Sequence, residues 1–340
     1  MSNKKCVREN YLYLSAMLRA REAKMLTREK AERMIDTASF DEAAKMLADC
    51  GYEDYSGMSA KQVDNALAER RAEIFAELAR MSPNPETVEV FRMKYDYHNA
   101  KTLIKAEAAA LEREDLLSSS GRVPVQTLIK SFTEEKFTGI PPVLADAIVQ
   151  AKSVLARTAN PQLADFALDK AYFAELLKAA RELDSSFLTG YARILIDSAN
   201  LRSAVRTMRM GKDLDFLKLA LVPGGGIDVG RITASSSSGE ALAALYTNTL
   251  LADAAALADA AALGAEAVKG GRMTDFELAC DNAVTAYLTK ARLVAFGDAP
   301  VIAYLAAVEG EITAVRMILT GFLAGIAPDT IRERLREFYA

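Results

Sequence analysis

Apolar positions recur at helical spacing along almost the whole chain, and strand-like alternation is scarce, which predicts an all-α protein. Tyr11, Leu14 and Leu18 open the pattern, and Thr27 is placed to cap the helix that follows. Ser39 with Glu42 has the form of a capping box, and Gly51 supplies a stop after Cys50. A longer helix is predicted from about Ser59 to Met81, ended by Ser82-Pro83-Asn84-Pro85, with Asn84 as the next cap and Pro85 at the first helical position. Ser118-Ser119-Ser120-Gly121 and Pro141-Pro142 are breaks, and a helix from about Val143 to Arg157 follows. Asn160-Pro161 opens a long pair of helices, restarted at Asp184-Ser185. Further loops are predicted at Pro223-Gly224-Gly225-Gly226 and from Ser235 to Gly239.

Within this pattern one acid, amide and base motif returns. Asp96, Asn99 and Lys101 form the first copy and Asp197, Asn200 and Arg202 the second. Glu311, Ala314 and Arg316 form the third, with the amide lost. The residues seven and eight places after each acid are apolar: Leu103-Ile104, Ala204-Val205 and Ile318-Leu319. The acids lie 101 and 114 residues apart, too far for a solenoid and about right for small domains. Two further echoes precede the motif: Asp165-Phe166-Ala167-Leu168 matches Asp275-Phe276-Glu277-Leu278, and Tyr191 matches Tyr304. Three helical units are therefore expected, at 1–120, 121–225 and 226–340, with room for the N- and C-terminal segments to pack together.

Composition narrows the class. A chain of 340 residues, 51% hydrophobic and 26% charged, has the balance of a globular protein with ordinary cores. A net charge of −4 argues against a general nucleic-acid or anionic-membrane surface, though a local basic face is compatible with it. Cys6, Cys50 and Cys280 have no metal-ligand spacing and favour a reducing, cytosolic setting without a structural disulfide. Met1 to Asn10 lacks the apolar core of a signal peptide. Asp253, Asp259 and Glu266 interrupt the alanine-rich stretch from Leu250 to Ala267, so a membrane role is expected to be peripheral.

Candidate chemistry is thin. On a helix the acid and the amide lie within about 60° of each other, while the base points about 140° away, so the motif is not one catalytic face. Asp96, Asn99, Asp197, Asn200 and Glu311 are candidate structural polar residues. Asp and Asn weaken helix interiors unless they find tertiary hydrogen bonds, direct contact with a partner being the alternative. Lys101 and Lys105, then Arg202, Arg206 and Arg209, and finally Arg316 form basic stripes. They are candidate partner-interface residues, either a solvated surface or a docking face for an acidic partner. His98, the only histidine, reads as structural, because no partner for a general base or metal is identifiable beside it. Pro223-Gly224-Gly225-Gly226 lacks the Gly-Lys-Ser/Thr ending of a phosphate loop and reads as a tight turn. Glu134-Glu135 has no pocket signature. No catalytic residue, cofactor or metal ligand is expected.

Taken in order, these stretches resemble the C subunit of the prokaryotic V/A-type ATPases, which is similar to the d subunit of the eukaryotic V-ATPase. The resemblance rests on Tyr11 to Ala16 and Ala23 to Thr27, Asp96 to Lys105, Leu221 to Ile227, Glu311 to Gly325 and Pro328 to Leu335. Ala314 departs from it where an amide would complete the third motif, as do Ala100 and the alanine-rich stretches. The resemblance implies a funnel of three similar helical domains around a pseudo-threefold axis with a central cavity. It implies a non-catalytic part of the rotor, peripheral to the membrane on the cytoplasmic side. Such a part joins the central axle, built from the D and F subunits, to the membrane proteolipid ring, with the membrane stator as a further neighbour. The residues by themselves are also compatible with a helical scaffold or adaptor unrelated to rotation.

Overall fold

A computed structural model of the chain describes residues 8–111, 113–264 and 273–340. Cys6 and part of the alanine-rich stretch lie outside them. Every regular element among the described residues is helical, so the protein is all-α. The chain forms two compact units, one of Met1–Val88 with Tyr246–Ala340 and the other of Glu89–Leu245.

Local chemistry sets most helix boundaries. Thr27 Oγ1 accepts the Lys30 N–H at 3.3 Å, and Ser59 with Gln62 completes a reciprocal capping box at the head of Ala60–Met81. At Ser39 the hydroxyl accepts from Glu42 N–H, but the Glu42 carboxylate reaches back to the Ala38 N–H instead of the Ser39 one. Gly51 closes its turn in the left-handed conformation at φ 73°. The helix Glu86–Ala108 begins one residue after Pro85. Pro142–Thr158 follows Pro141, Pro161–Glu182 is capped by Asn160, and Ser186–Arg209 is capped by Ser185.

In the Glu89–Leu245 unit, Pro142–Thr158, Pro161–Glu182 and Ser186–Arg209 pack in succession. Leu144, Ile148, Leu168, Leu176, Leu188, Ile196 and Leu201 are buried there. In the other unit the centre is the helix Asp298–Leu323. It buries residues around most of its circumference, from Val301 and Ile302 to Ile318 and Leu319. Ala60–Met81 lies against it, with Val63, Leu67 and Leu78 fully buried, and Arg71 pairs with Glu309 at 3.1 Å. Each such aliphatic side chain contributes about 2 kcal/mol by leaving water, which makes these helices the frame on which the polar motifs are held. None of the helices among the described residues is long and apolar enough to cross a membrane.

Candidate functional site

The three motif acids are buried, and each grips the backbone at the entrance to a short helix. Asp96 Oδ1 accepts the Val123 N–H at 3.1 Å, while its Oδ2 takes the Arg122 guanidinium at 2.6 Å. Asp197 accepts from the Ile227 N–H at 3.1 Å and the Gly226 N–H at 2.9 Å. Glu311 accepts the Leu26 N–H at 2.7 Å and the Tyr52 hydroxyl at 2.7 Å. Two residues beyond each gripped N–H a helix begins, at Val125, Val229 and Arg28 respectively. The acid thus fixes where that helix starts.

The amides make a second grip. Asn99 donates to the Ser118 carbonyl at 2.9 Å and accepts the Ser118 N–H at 2.8 Å, so one side chain satisfies both backbone groups of one residue. Asn200 does the same to Val222, at 2.8 and 2.7 Å. Both loops then run five residues from the clasped residue to the one whose N–H the acid takes, Ser118 to Val123 and Val222 to Ile227. At the fourth residue of each loop stands a glycine, Gly121 or Gly225, lying so close that a Cβ would overlap the Asp96 or Asp197 carboxylate. Leu221 to Ile227 is therefore a tight loop, as its composition predicts, but one shaped to lie flat on a buried carboxylate. Ser118 to Val123 is its counterpart, although the two share only the glycine and a final β-branched residue. That correspondence is invisible in the sequence, because the groups being gripped belong to the backbone. The third copy takes its loop from the other end of the chain, and there Tyr52 supplies the second donor.

Around Asp96 the grip extends into a network. Arg122 forks between Asp96 and Glu175, the latter at 2.8 Å, and the Tyr97 hydroxyl donates to Glu175 at 2.8 Å. This ties Glu86–Ala108, the following loop and Pro161–Glu182 together.

Burial raises the pKa of Asp96, Asp197 and Glu311, opposed at Asp96 mainly by Arg122 and at the other two by the backbone N–H donors. An acid whose folded pKa is raised binds its proton more tightly in the folded state. Its favourable contribution is thus fully present below the unfolded value and is lost as pH rises through the folded one. Glu311→Gln keeps the shape and can accept the Leu26 N–H on its oxygen, while its NH2 donates to the Tyr52 hydroxyl oxygen instead of accepting from it, and it removes this titration. Urea unfolding of both proteins from pH 4 to pH 8 is expected to show the wild type gaining stability relative to Glu311→Gln as pH falls through the window above the ordinary glutamate value. A difference independent of pH would show that Glu311 is not desolvated.

The bases lie where helical geometry puts them, away from the acids. Lys101 pairs with Asp169 and Lys105 with Asp165, each at 2.6 Å, and Arg316 pairs with Asp64 at 2.6 Å. Arg202, Arg206 and Arg209 also have polar or ionic partners within the protein, and the last two are exposed. His98 is exposed, with Nε2 3.1 Å from the Leu116 carbonyl. Cys50 and Cys280 are buried and not joined in a disulfide. Among the described residues no group of three or more His, Cys, Asp or Glu is placed to hold a metal. What the site can do is mechanical: hold loops and helix entrances rigidly against motif helices.

A profile described as "ATP synthase (C/AC39) subunit" matches residues 14–334, a span that includes all three grips. The chain belongs to that family. Among similar family proteins, the C subunit of the V-type sodium ATPase of Enterococcus hirae is 24% identical over 331 residues, covering 97% of this chain and 99% of its own length. The C subunit of the A-type ATP synthase of Methanocaldococcus jannaschii is 26% identical over 351 residues, covering 96% of this chain and 86% of its own. The C subunit of the V-type ATP synthase of Thermus thermophilus is 26% identical over 219 residues, covering 62% and 68%. The C/AC39 family likeness thus runs from residue 14 to residue 334, in step with a polar device that recurs three times within that span.

Proposed function

We propose that this chain is a non-catalytic part of the central rotor of a V/A-type rotary ATPase or ATP synthase. It is a socket that couples the central axle, made of the D and F subunits, to the membrane proteolipid ring, transmitting torque between ATP turnover and ion movement. In this reading the protein sits peripherally on the cytoplasmic side of the membrane, with the membrane stator near it. Its three units, 1–120, 121–225 and 226–340, surround a central cavity about a pseudo-threefold axis.

The observation that carries the reading is the order of the grips. The loop entering the second unit is held by the first acid, and the loop entering the third by the second acid. The loop at Leu26, inside the first unit, is held by Glu311 of the third. A head-to-tail series whose last member returns to its first is what a closed arrangement of three units requires, whereas an open scaffold would leave the end grips empty. Buried carboxylate grips also suit a part that must resist twisting, since breaking one leaves a charge unpaired in a low-dielectric interior.

Arg206 and Arg209, with Lys101, Lys105, Arg202 and Arg316, are the proposed docking bases. Native mass spectrometry of the complex purified from source membranes through a tag on this chain is expected to recover axle proteins and proteolipids with it. Recovery without either would overturn the rotor assignment. The exposed pair gives the sharper test of the basic face. Arg206→Glu with Arg209→Glu is expected to weaken assembly about tenfold or more at low salt, with the deficit changing as salt screens the charges. The thermal unfolding of the isolated chain should change little. Unaltered assembly would remove these bases from the interface.

A further inference from the structure

Both the second and the third motif helix are followed by a short helix of related design. Leu214–Ala220 comes after Ser186–Arg209, and Pro328–Arg332 comes after Asp298–Leu323. Asp215, Lys218 and Leu221 stand 114 residues before Asp329, Arg332 and Leu335, the same interval that separates Asp197 from Glu311. The two helices carry the same internal ion pair, Lys218–Asp215 and Arg332–Asp329, both at 2.8 Å. Leu221 and Leu335 are buried alike.

Each short helix lies against the helix that starts after a gripped loop, Val229–Ser235 in one case and Arg28–Ile35 in the other. Counting from the gripped residues Ile227 and Leu26, Thr233 takes the place of Glu32 and Ser237 the place of Asp36. In the C-terminal pair the seam is closed by charge: Arg332 Nε meets Glu32 at 2.9 Å, and the same guanidinium reaches Asp36. In the other pair the cation is kept and both acids are replaced by hydroxyls. There a cleft of about 470 Å³ opens, shared by Lys218, Thr233, Ser237, Leu214, Leu221 and Val229. Leu214 and Leu219 on its helix are 47% and 51% exposed.

We propose that this cleft is a docking site for a segment of a partner protein that presents a carboxylate beside a branched apolar side chain. The carboxylate takes, with Lys218, the position that Glu32 and Asp36 hold with Arg332, and the Ser237 hydroxyl donates to it, the Thr233 proton being given to the Val229 carbonyl at 2.8 Å. The apolar side chain covers Leu214, Leu221 and Val229. A carboxylate paired in a partly apolar cleft, with a hydroxyl donor beside the ammonium, is held better than one on an open surface. The inference stands on the comparison of two seams in one chain and does not depend on the rotor reading.

The test places the photo-crosslinker benzoylphenylalanine at position 214 of the full chain, in the intact complex purified from source membranes, with mass spectrometry of the crosslinked peptides. The expected product is a peptide of another protein with Asp or Glu within a few residues of the crosslinked site. Lys218→Glu should lower its yield about tenfold. Thr233→Glu with Ser237→Asp, which restores the acids of the other seam, should lower the yield similarly while the isolated chain unfolds at an equal or higher temperature. Thermal resistance that is kept or raised separates a closed cleft from a damaged fold. Crosslinks only to lipid or to the chain itself, a partner peptide without an acid, or a yield indifferent to these substitutions would overturn the proposal.

Discussion

Gly225→Ala is expected to destabilise the protein by about 3 kcal/mol, nearly as much as Gly225→Val, because the first carbon added is the one that does not fit. That carbon would overlap Asp197 Oδ1 and crowd the Ile196 side chain, so the loop must lift off its motif helix. Lifting it removes the Gly226 and Ile227 N–H groups from a buried carboxylate, which loses the two bonds that offset its desolvation. Gly310 is the control. It lies inside the helix Asp298–Leu323 with open space where a Cβ would go, and Gly310→Ala should be neutral or stabilising by up to about 1 kcal/mol. Urea unfolding followed by circular dichroism measures both. The Asp197→Ala effect should shrink in the Gly225→Ala background, since the two substitutions break the same grip. Equal, small effects at Gly225 and Gly310 would show that the loop does not depend on its close approach to Asp197.

Arg122→Met is expected to cost about 3–5 kcal/mol, the usual consequence of removing one member of a buried ionic group and leaving the others charged. Asp96 is fully buried and Glu175 nearly so, and each receives a separate nitrogen of the Arg122 fork. The Val123 N–H and the Tyr97 hydroxyl remain as donors but do not neutralise two carboxylates. The loss should therefore come from the stranded charges more than from the missing bonds. Adding Asp96→Asn and Glu175→Gln to Arg122→Met should recover a substantial part of the stability, although each substitution alone is destabilising. A single Arg122→Met within about 1 kcal/mol of wild type in urea unfolding would show that the network contributes little.

Several residues show how far the sequence reaches. Thr27, Ser59, Asn160 and Ser185 cap where their types and spacing predict, since a cap bonds to its own neighbours and needs no tertiary information. The sidedness of the motif is equally local: 100° per residue sends Asp96 and Asn99 inward and Lys101 elsewhere. What grips what was not legible. Asp96, Asn99, Asp197 and Asn200 bond to backbone groups some twenty to thirty residues downstream, and a backbone N–H or C=O looks the same in every residue. Ser118-Ser119-Ser120-Gly121 and Pro223-Gly224-Gly225-Gly226 consequently register only as breaks, and nothing in their composition marks them as counterparts. The seams are harder still, because Arg332 meets Glu32 and Asp36 across nearly the whole chain.

By itself, then, the sequence determined the all-helical class, the main boundaries, the recurrence of Asp96, Asp197 and Glu311, and the likeness to the C subunit of V/A-type ATPases. All of these follow from local propensity, helical period or residue order. The tertiary structure alone decided that the three acids are clamps on helix entrances, that Leu26 serves Glu311 from the opposite end of the chain, and that Lys218 lines an open cleft where Arg332 closes a seam. The physical reason is common to all three. Each depends on which backbone or charge is brought near a buried side chain, and long-range proximity is fixed by packing, not by the identity of the residues that meet.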